Sequence, residues 1–440
     1  MSIARSVKIS LAFVGLLVGA GFATGQEVIQ YFISFGSIGI WGAVLAGLVV
    51  TAAGAVVLQL GSYFLATEHN MVFRHVSHPI VSKALDISIT LTLFAVGFVM
   101  LAGAGSTMNQ QFGLPTWMGA AIMTLAVMVT GLLDVDKVSG IISSITPLIV
   151  VAVLVALVHT LVTMPGDLSG LDAIATRADS PVRPWWLSGL NYAGMSLLLG
   201  VSMCLVIGGR VPDPREAGLG GLLGGALYSV LLLMNCVTLY LSSATIDGAE
   251  VPMLKIFEEI DPVASLLMVF VVLMMVYNTA IGMFYALGRR LTAGRPQSYR
   301  PVFLVICLLG FAVSFAGFGT LMSYAYPAIG YVGMVMIVII GTWWVAQRGT
   351  IVEESGRRFR IRALLTLRAD PERRFSLKHE TMLRHAVGES NVEPATITGA
   401  LELEVERILE HEHEHEHEHE HEHEHEHEHE QGAAQEPPGR

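Results

Sequence analysis

Charge is what this sequence has least of. Only 14% of its 440 residues are Asp, Glu, Lys or Arg, against 53% hydrophobic, and the mean hydropathy is +0.59. A soluble globular chain carries about 25% charged residues, so a water-exposed fold of ordinary composition is excluded. Cysteine is scarce too. Cys204, Cys236 and Cys307 all fall within apolar runs, where a thiol behaves as a small hydrophobe, which leaves no disulfide framework and no reactive thiol. A GxxxxGK[ST] string is missing, which removes the P-loop ATPases. The apolar runs hold no His/Asp/Ser or metal-ligand constellation, so a membrane enzyme is the weakest of the functional readings and no metal site is expected. Nothing marks a nucleic-acid partner.

The formal charge of -11 is unevenly spread. Residues 1–347 hold 14 Lys+Arg against 15 Asp+Glu, and residues 348–440 hold 12 against 22. A nearly neutral apolar part is therefore followed by an acidic tail.

What is abundant is long apolar runs. Stretches near 20 residues are the measure of a spanning helix. Ten occur, at roughly 8–35, 39–66, 84–110, 115–133, 139–163, 186–208, 217–243, 263–288, 301–322 and 327–347. The expected class is an all-α integral membrane protein. Arg5 and Lys8 ahead of the first run give it the look of a signal peptide, but no A-x-A-like site follows and the run reaches spanning length, so a retained first helix is expected. Lys and Arg concentrate in cytoplasmic loops. With the N-terminus inside, Arg5, Lys8, Arg74, Lys83, Lys137, Arg210, Arg215, Arg289, Arg290, Arg295 and Arg300 fall inside, and only Arg177, Arg183 and Lys255 outside. Both termini are thus expected in the cytoplasm and the chain in a cytoplasmic (inner) membrane.

The first run is broken up by Val18-Gly19-Ala20-Gly21-Phe22-Ala23-Thr24-Gly25-Gln26-Glu27, which puts three glycines and a carboxylate into apolar sequence. Non-helical backbone survives inside a bilayer only where protein or a wet cavity satisfies it, so a break there exposes a binding surface. An ionisable residue within a span is a functional hypothesis in its own right. The connection 165–184, rich in Pro, Asp and Ser, divides the ten runs into five and five. An odd number per half permits an inverted repeat, whose signature is a Gly-interrupted segment at the matching place in each half. The sixth run offers Asn191-Tyr192-Ala193-Gly194-Met195-Ser196, then Leu199-Gly200-Val201-Ser202, with Gly208 and Gly209 closing it. Breaks in the first and sixth helices are expected, with close helix packing through small residues as the rival account of these glycines.

The string VGAGFATGQE closely resembles the signature of the YkvI-like bacterial membrane proteins, placed with the amino acid-polyamine-organocation transporters; the resemblance covers about residues 7–347. It implies the leucine-transporter fold, whose first helix has a V-G-x-G break, here Val18 to Gly21. The sixth helix of that fold commonly breaks at S-L-x-L-G, here Ser196 to Gly200. Small solutes are the implied cargo. A zwitterion's carboxylate would meet amides near Ala20, Gly21 and Phe22, and its ammonium carbonyls near Leu199 and Gly200, with Phe22, Tyr192 and third-run residues such as Val99 or Gly103 furnishing the pocket and Thr24 and Ser196 as further binding residues. By the same resemblance a coupling sodium ion would lie between the carbonyls of Gly15 and Val18 and the side chains of Asn278 and Thr279. Related chains usually carry a Ser/Thr pair at that last position. Glu27 is the coupling-proton candidate, since a buried carboxyl can carry a proton, whereas an adjacent cation would hold it ionised. Asp86 and His159, near the ends of their runs, are explained by interfacial solvation.

Beyond residue 347 the composition changes. Arg348, Arg357, Arg358, Arg360, Arg362, Arg368, Arg373 and Arg374 make a basic belt over 348–400 that suits anionic lipid. In 401–440 a short helix at 401–410 is followed by ten His-Glu pairs from His411 to Glu430. That composition forms no core and reads as a low-complexity, disordered tail, with an appended tag as the rival account. The function these features favour is a secondary transporter of an amino acid or similar zwitterion, coupled to Na+ or H+, with no further cofactor. A channel or signalling membrane protein on the same fold is the alternative.

Overall fold

The computed structural model describes residues 3–132, 145–164, 168, 170–370, 373–407 and 409; the start of the fifth run, Lys137 and the His-Glu repeat lie outside these. Helices follow the apolar runs, and no strand occurs among the described residues. The first run is three short helices, α1 (Ile3–Leu17), α2 (Ala20–Thr24) and α3 (Gln26–Tyr31). Then come α4 (Ile38–Phe64), α5 (His69–Val76), α6 (Pro79–Phe112), α7 (Thr116–Gly131), α8 (Ile145–Val162) and the short α9 (Leu171–Ala175). The second half holds α10 (Trp185–Gly209), α11 (Pro214–Leu241), α12 (Ser243–Ile246), α13 (Pro252–Ile260), α14 (Pro262–Leu291), α15 (Tyr299–Ser314) and α16 (Phe318–Ala369). Six of these, α4, α6, α10, α11, α14 and α16, are long and apolar enough to cross a membrane. Shorter apolar helices lie at Thr116–Gly131, Pro147–Val162 and Tyr299–Ser314. Large apolar side chains such as Trp41, Leu48, Leu91, Leu125 and Phe270 stand exposed on the outside of the bundle. An exposed apolar surface of that extent fits a lipid-facing wall.

Two groups of helices pack together. In one, α4 lies against both α10 and α11, α1 against α11, and α10 against α16; in the other, α14 packs on α6, which also meets α7 and α15. Glycine sets the spacing in the first group. A Cβ on Gly208 would stand 2.2 Å from the Leu58 carbonyl oxygen, and one on Gly61 2.3 Å from that of Leu205. Backbones this close gain dispersion contacts that hydrocarbon tails cannot supply, which is how helices associate in lipid.

Three expectations change here. The sixth helix is not broken: α10 runs continuously from Trp185 to Gly209. Its glycines serve contact instead, since a Cβ on Gly194 would lie 2.4 Å from the Gly330 carbonyl oxygen and one on Gly189 2.6 Å from that of Gly42. The ninth run ends at Ser314 rather than 322, because Gly317, with φ 90, turns the chain there. Helix α16 then continues through Pro327 without stopping at 347 and extends to Ala369.

The extension of α16 packs with α17 (Leu377–Gly388) and a helix at 394–407. Ile361, Leu365, Leu383, Ile397, Leu401 and Val405 form a separate small core with Leu65, so described residues just past 400 belong to a folded unit. Arg358 is its anchor. Its five N–H donors reach Glu354 (2.8 Å), the carbonyls of Ser62 (2.8 Å), Pro212 (3.0 Å) and Tyr63 (2.7 Å), and Asn391 (2.9 Å). Burial works against the charge on Glu354, yet hydrogen bonds from Ser390 and Arg358 hold its carboxyl below the ordinary range. Much of the basic belt is therefore committed to protein. Arg357 pairs with Glu354, Arg362 with Glu404, Arg368 with Glu402 and Arg373 with Asp370.

Candidate functional site

The first run changes direction twice in eight residues. At Gly19 the backbone is extended (φ -95, ψ -177), and its N–H turns to the Leu17 carbonyl oxygen (3.0 Å). The carbonyls of Gly15 and Val18 consequently find no backbone donor among the described residues. At Gly25 the chain enters the left-handed region (φ 80), a conformation that L side chains adopt only with strain. Thr24 bridges this second turn, donating to the Gly21 carbonyl oxygen (2.9 Å) and accepting from the Gln26 N–H (3.4 Å). Asn235 on α11 donates to the Phe22 carbonyl oxygen (3.1 Å), so a neighbouring helix satisfies part of the freed backbone.

The two turns fold Glu27 back over Gly21. A Cβ on Gly21 would lie 1.6 Å from a Glu27 carboxylate oxygen, so the carboxylate occupies the place a side chain would take. Glu27 is buried and has no hydrogen-bond or ion-pair partner among the described residues. Tyr31, Tyr192, Tyr228 and Tyr326, all buried, are near enough to interact with its charge. The Tyr192 and Tyr228 hydroxyls are 3.0 Å apart, and Ser196 lies beside both. Tyr31 donates to Asn191 (3.3 Å), whose amide donates to the Pro327 carbonyl oxygen (3.0 Å). Phe22 packs tilted against Tyr228 at 6.1 Å and Tyr31 against Tyr192 at 5.4 Å.

A cavity of about 480 Å³ opens beside α3, lined by Gln26, Gln30, the segment after α9, the α12 end and the start of α16. Gln30 donates to the Gly319 carbonyl oxygen (3.3 Å) and to Ser323 (3.2 Å). The other side of that amide, and the amide oxygens of Gln26 and Asn235, are buried without a donor among the described residues.

Of the residues singled out from sequence, Ala20, Gly21, Phe22, Thr24 and Glu27 are buried in or beside the double turn, and Tyr192 and Ser196 are buried on α10, Tyr192 against Tyr31 and Tyr228. Leu199 and Gly200 do not join them as carbonyl donors of charge. Both sit inside the continuous α10, whose carbonyls are engaged in the helix, and Gly200 has Leu17 and Cys204 as its nearest side chains. Asn278 and Thr279 are half-buried on α14, a helix that packs against α2. Asp86 is ion-paired rather than merely solvated, meeting Arg290 of α14 and His69 (3.3 Å). Sequence reasoning missed Tyr31, Tyr228, Tyr326, Gln30 and Asn235. Asn235 had a signal, a lone amide in the apolar string Leu231 to Leu239, but its partner is a carbonyl more than 200 residues away.

The interrupted first segment, the two helix groups and the apolar exterior define a polytopic membrane protein of the leucine-transporter fold. The crystal structure of MhsT in complex with L-phenylalanine has the same fold, with TM-score 0.54, 16% identity, and coverage of 92% of this chain and 98% of that one. A manganese transporter of Eremococcus coleocola aligns over 92% and 95% at 13% identity, TM-score 0.49. No family model matches the chain. Within the fold, the chain is similar to two bacterial membrane proteins. It is 24% identical over 336 residues to the uncharacterised membrane protein YkvI of Bacillus subtilis, covering 75% of this chain and 93% of YkvI. The uncharacterised YyaD of the same organism matches at 24% over 334 residues, covering 76% and 95%.

Proposed function

We propose that this protein is a ten-helix secondary transporter of an amino acid or similar zwitterion, and that Glu27 is its coupling group. One observation carries the reading: a partnerless carboxylate buried at a double helix turn, lying over the main chain where the solute's own carboxylate is expected. Two carboxylates side by side repel. Loading the solute against Ala20, Gly21 and Phe22 therefore requires Glu27 to move away or to take a proton, which couples uptake to H+. The ammonium end no longer has the carbonyls of Leu199 and Gly200, and faces the paired hydroxyls of Tyr192 and Tyr228 instead. The cavity beside Gln26 and Gln30 is the solute's entrance, on the face opposite the Lys/Arg-rich cytoplasmic side. Sodium coupling remains the second reading, favoured by the unpaired carbonyls of Gly15 and Val18, with Asn278 and Thr279 completing the set.

Thermal unfolding of the purified protein against single amino acids, at two pH values and with or without sodium, tests this, because a ligand that binds only the native state raises stability. The expected result is a stabilising amino acid whose effect depends on pH in the wild type and not in Glu27→Gln. Stabilisation that needs sodium and keeps its pH dependence in Glu27→Gln would transfer the coupling role to the second site. Flux in proteoliposomes that follows only the solute's own gradient would make the protein a channel.

A further inference from the structure

The N-terminal half-helix is tied to the C-terminal unit by a shared carboxylate. Arg5, in the first turns of α1, forms ion pairs with Glu404 on the 394–407 helix and with Glu216 (3.4 Å) at the start of α11. Glu404 also receives Arg362 of the α16 extension (3.1 Å), which reaches Asp213 at 3.8 Å. Asp213 in turn accepts from Ser355 (2.7 Å), one residue from Glu354, the partner of Arg358. A continuous polar chain thus runs from the tip of α1 through the C-terminal unit to the ends of α4 and α11. At its other end α1 is free of helical continuity, because the extended backbone at Gly19 separates it from α2. A 15-residue helix is about 22 Å long, so its far tip moves most when the joint bends.

We infer that the C-terminal helical unit is a latch on α1: Glu404 holds Arg5, and with it the inner half of the first span, against α11. The inference goes beyond the transport reading and does not depend on which solute or ion is carried. The face that the latch keeps covered is specific. A Cβ on Gly220 would touch Ile9 and one on Gly224 would stand 2.8 Å from the Ser10 carbonyl oxygen, so α1 lies in a glycine groove of α11. Ser6 is buried, and its hydroxyl has no hydrogen-bond partner among the described residues, so Ser6→Cys loses no bond and reports on exposure.

Maleimide labelling of the Ser6→Cys protein, purified as the full chain, measures the latch, with the buried native cysteines providing the background in the unsubstituted protein. Adding Glu404→Gln is expected to raise the labelling rate about tenfold, and Arg5→Gln more, because it releases Glu216 as well. Arg368→Gln, which breaks an exposed pair with Glu402 in the same unit, is expected to leave the rate within about twofold. Equal labelling in all variants, or an equal rise with Arg368→Gln, would overturn the latch, the second result meaning a general loosening of the tail.

Discussion

The first and sixth apolar segments are written in similar letters, glycines spaced through Val, Ala, Leu and Ser, and they fold differently. In the first, Gly19 and Gly25 interrupt the helix and Gly21 faces a carboxylate. In the sixth, Gly189, Gly194 and Gly208 face the backbones of other helices, and the helix is continuous. The difference lies in what stands opposite each glycine. Main chain opposite a glycine rewards an intact helix packed closely, whereas a carboxylate folding back from six residues on, with Asn235 to satisfy a freed carbonyl, rewards a turn. A missing side chain is permission for either outcome.

Substitution can break this comparison. Gly194→Val is expected to have the largest effect. Its Cβ would lie 2.4 Å from the Gly330 carbonyl oxygen and 2.7 Å from the Met334 nitrogen, and main chain cannot step aside. A loss at or above the upper end of about 1–3 kcal/mol is expected, read from thermal unfolding, with no single side-chain truncation restoring it. Gly21→Ala is also expected to destabilise, by about 1–2 kcal/mol, but there the obstruction is the far end of Glu27. Adding Glu27→Ala should then recover most of the loss; no recovery would mean that the main chain, not the carboxylate, requires glycine at 21. Gly25→Ala is expected to lose about 1 kcal/mol through its positive φ, with no rescue by truncating Leu239 or Met253. Smallest and opposite in sign is Gly200→Ala. Its nearest side-chain atoms stand at 3.5 and 3.6 Å, ordinary contact, so in an intact helix alanine should stabilise by about 0.5–1 kcal/mol. Destabilisation at Gly200 would show that the sixth helix unwinds there after all.

Much of the architecture was legible because lipid imposes a length on every spanning helix, and α4, α6, α7, α10 and α11 begin or end within a few residues of the apolar runs. The break in the first run was legible as well, since a carboxylate among three closely spaced glycines disfavours an uninterrupted helix in lipid. The sixth helix was misread because periodicity and composition do not say what a glycine packs against. The tail was under-read for a related reason. Arg358 looks like any member of an arginine cluster until carbonyls of Ser62, Tyr63 and Pro212, far away in sequence, are brought around it.

By itself, then, the sequence determined that the chain lies in a membrane and that its first span is interrupted beside an acid, because both follow from local composition and from the free energy of exposing polar groups to hydrocarbon. Only the tertiary structure decided that Glu27 covers Gly21, that the Tyr192 and Tyr228 hydroxyls meet, that the sixth helix stays whole and that residue 404 meets residue 5. Each of these depends on which backbones approach one another across the bundle, a property of packing between distant segments that no local stretch of residues encodes.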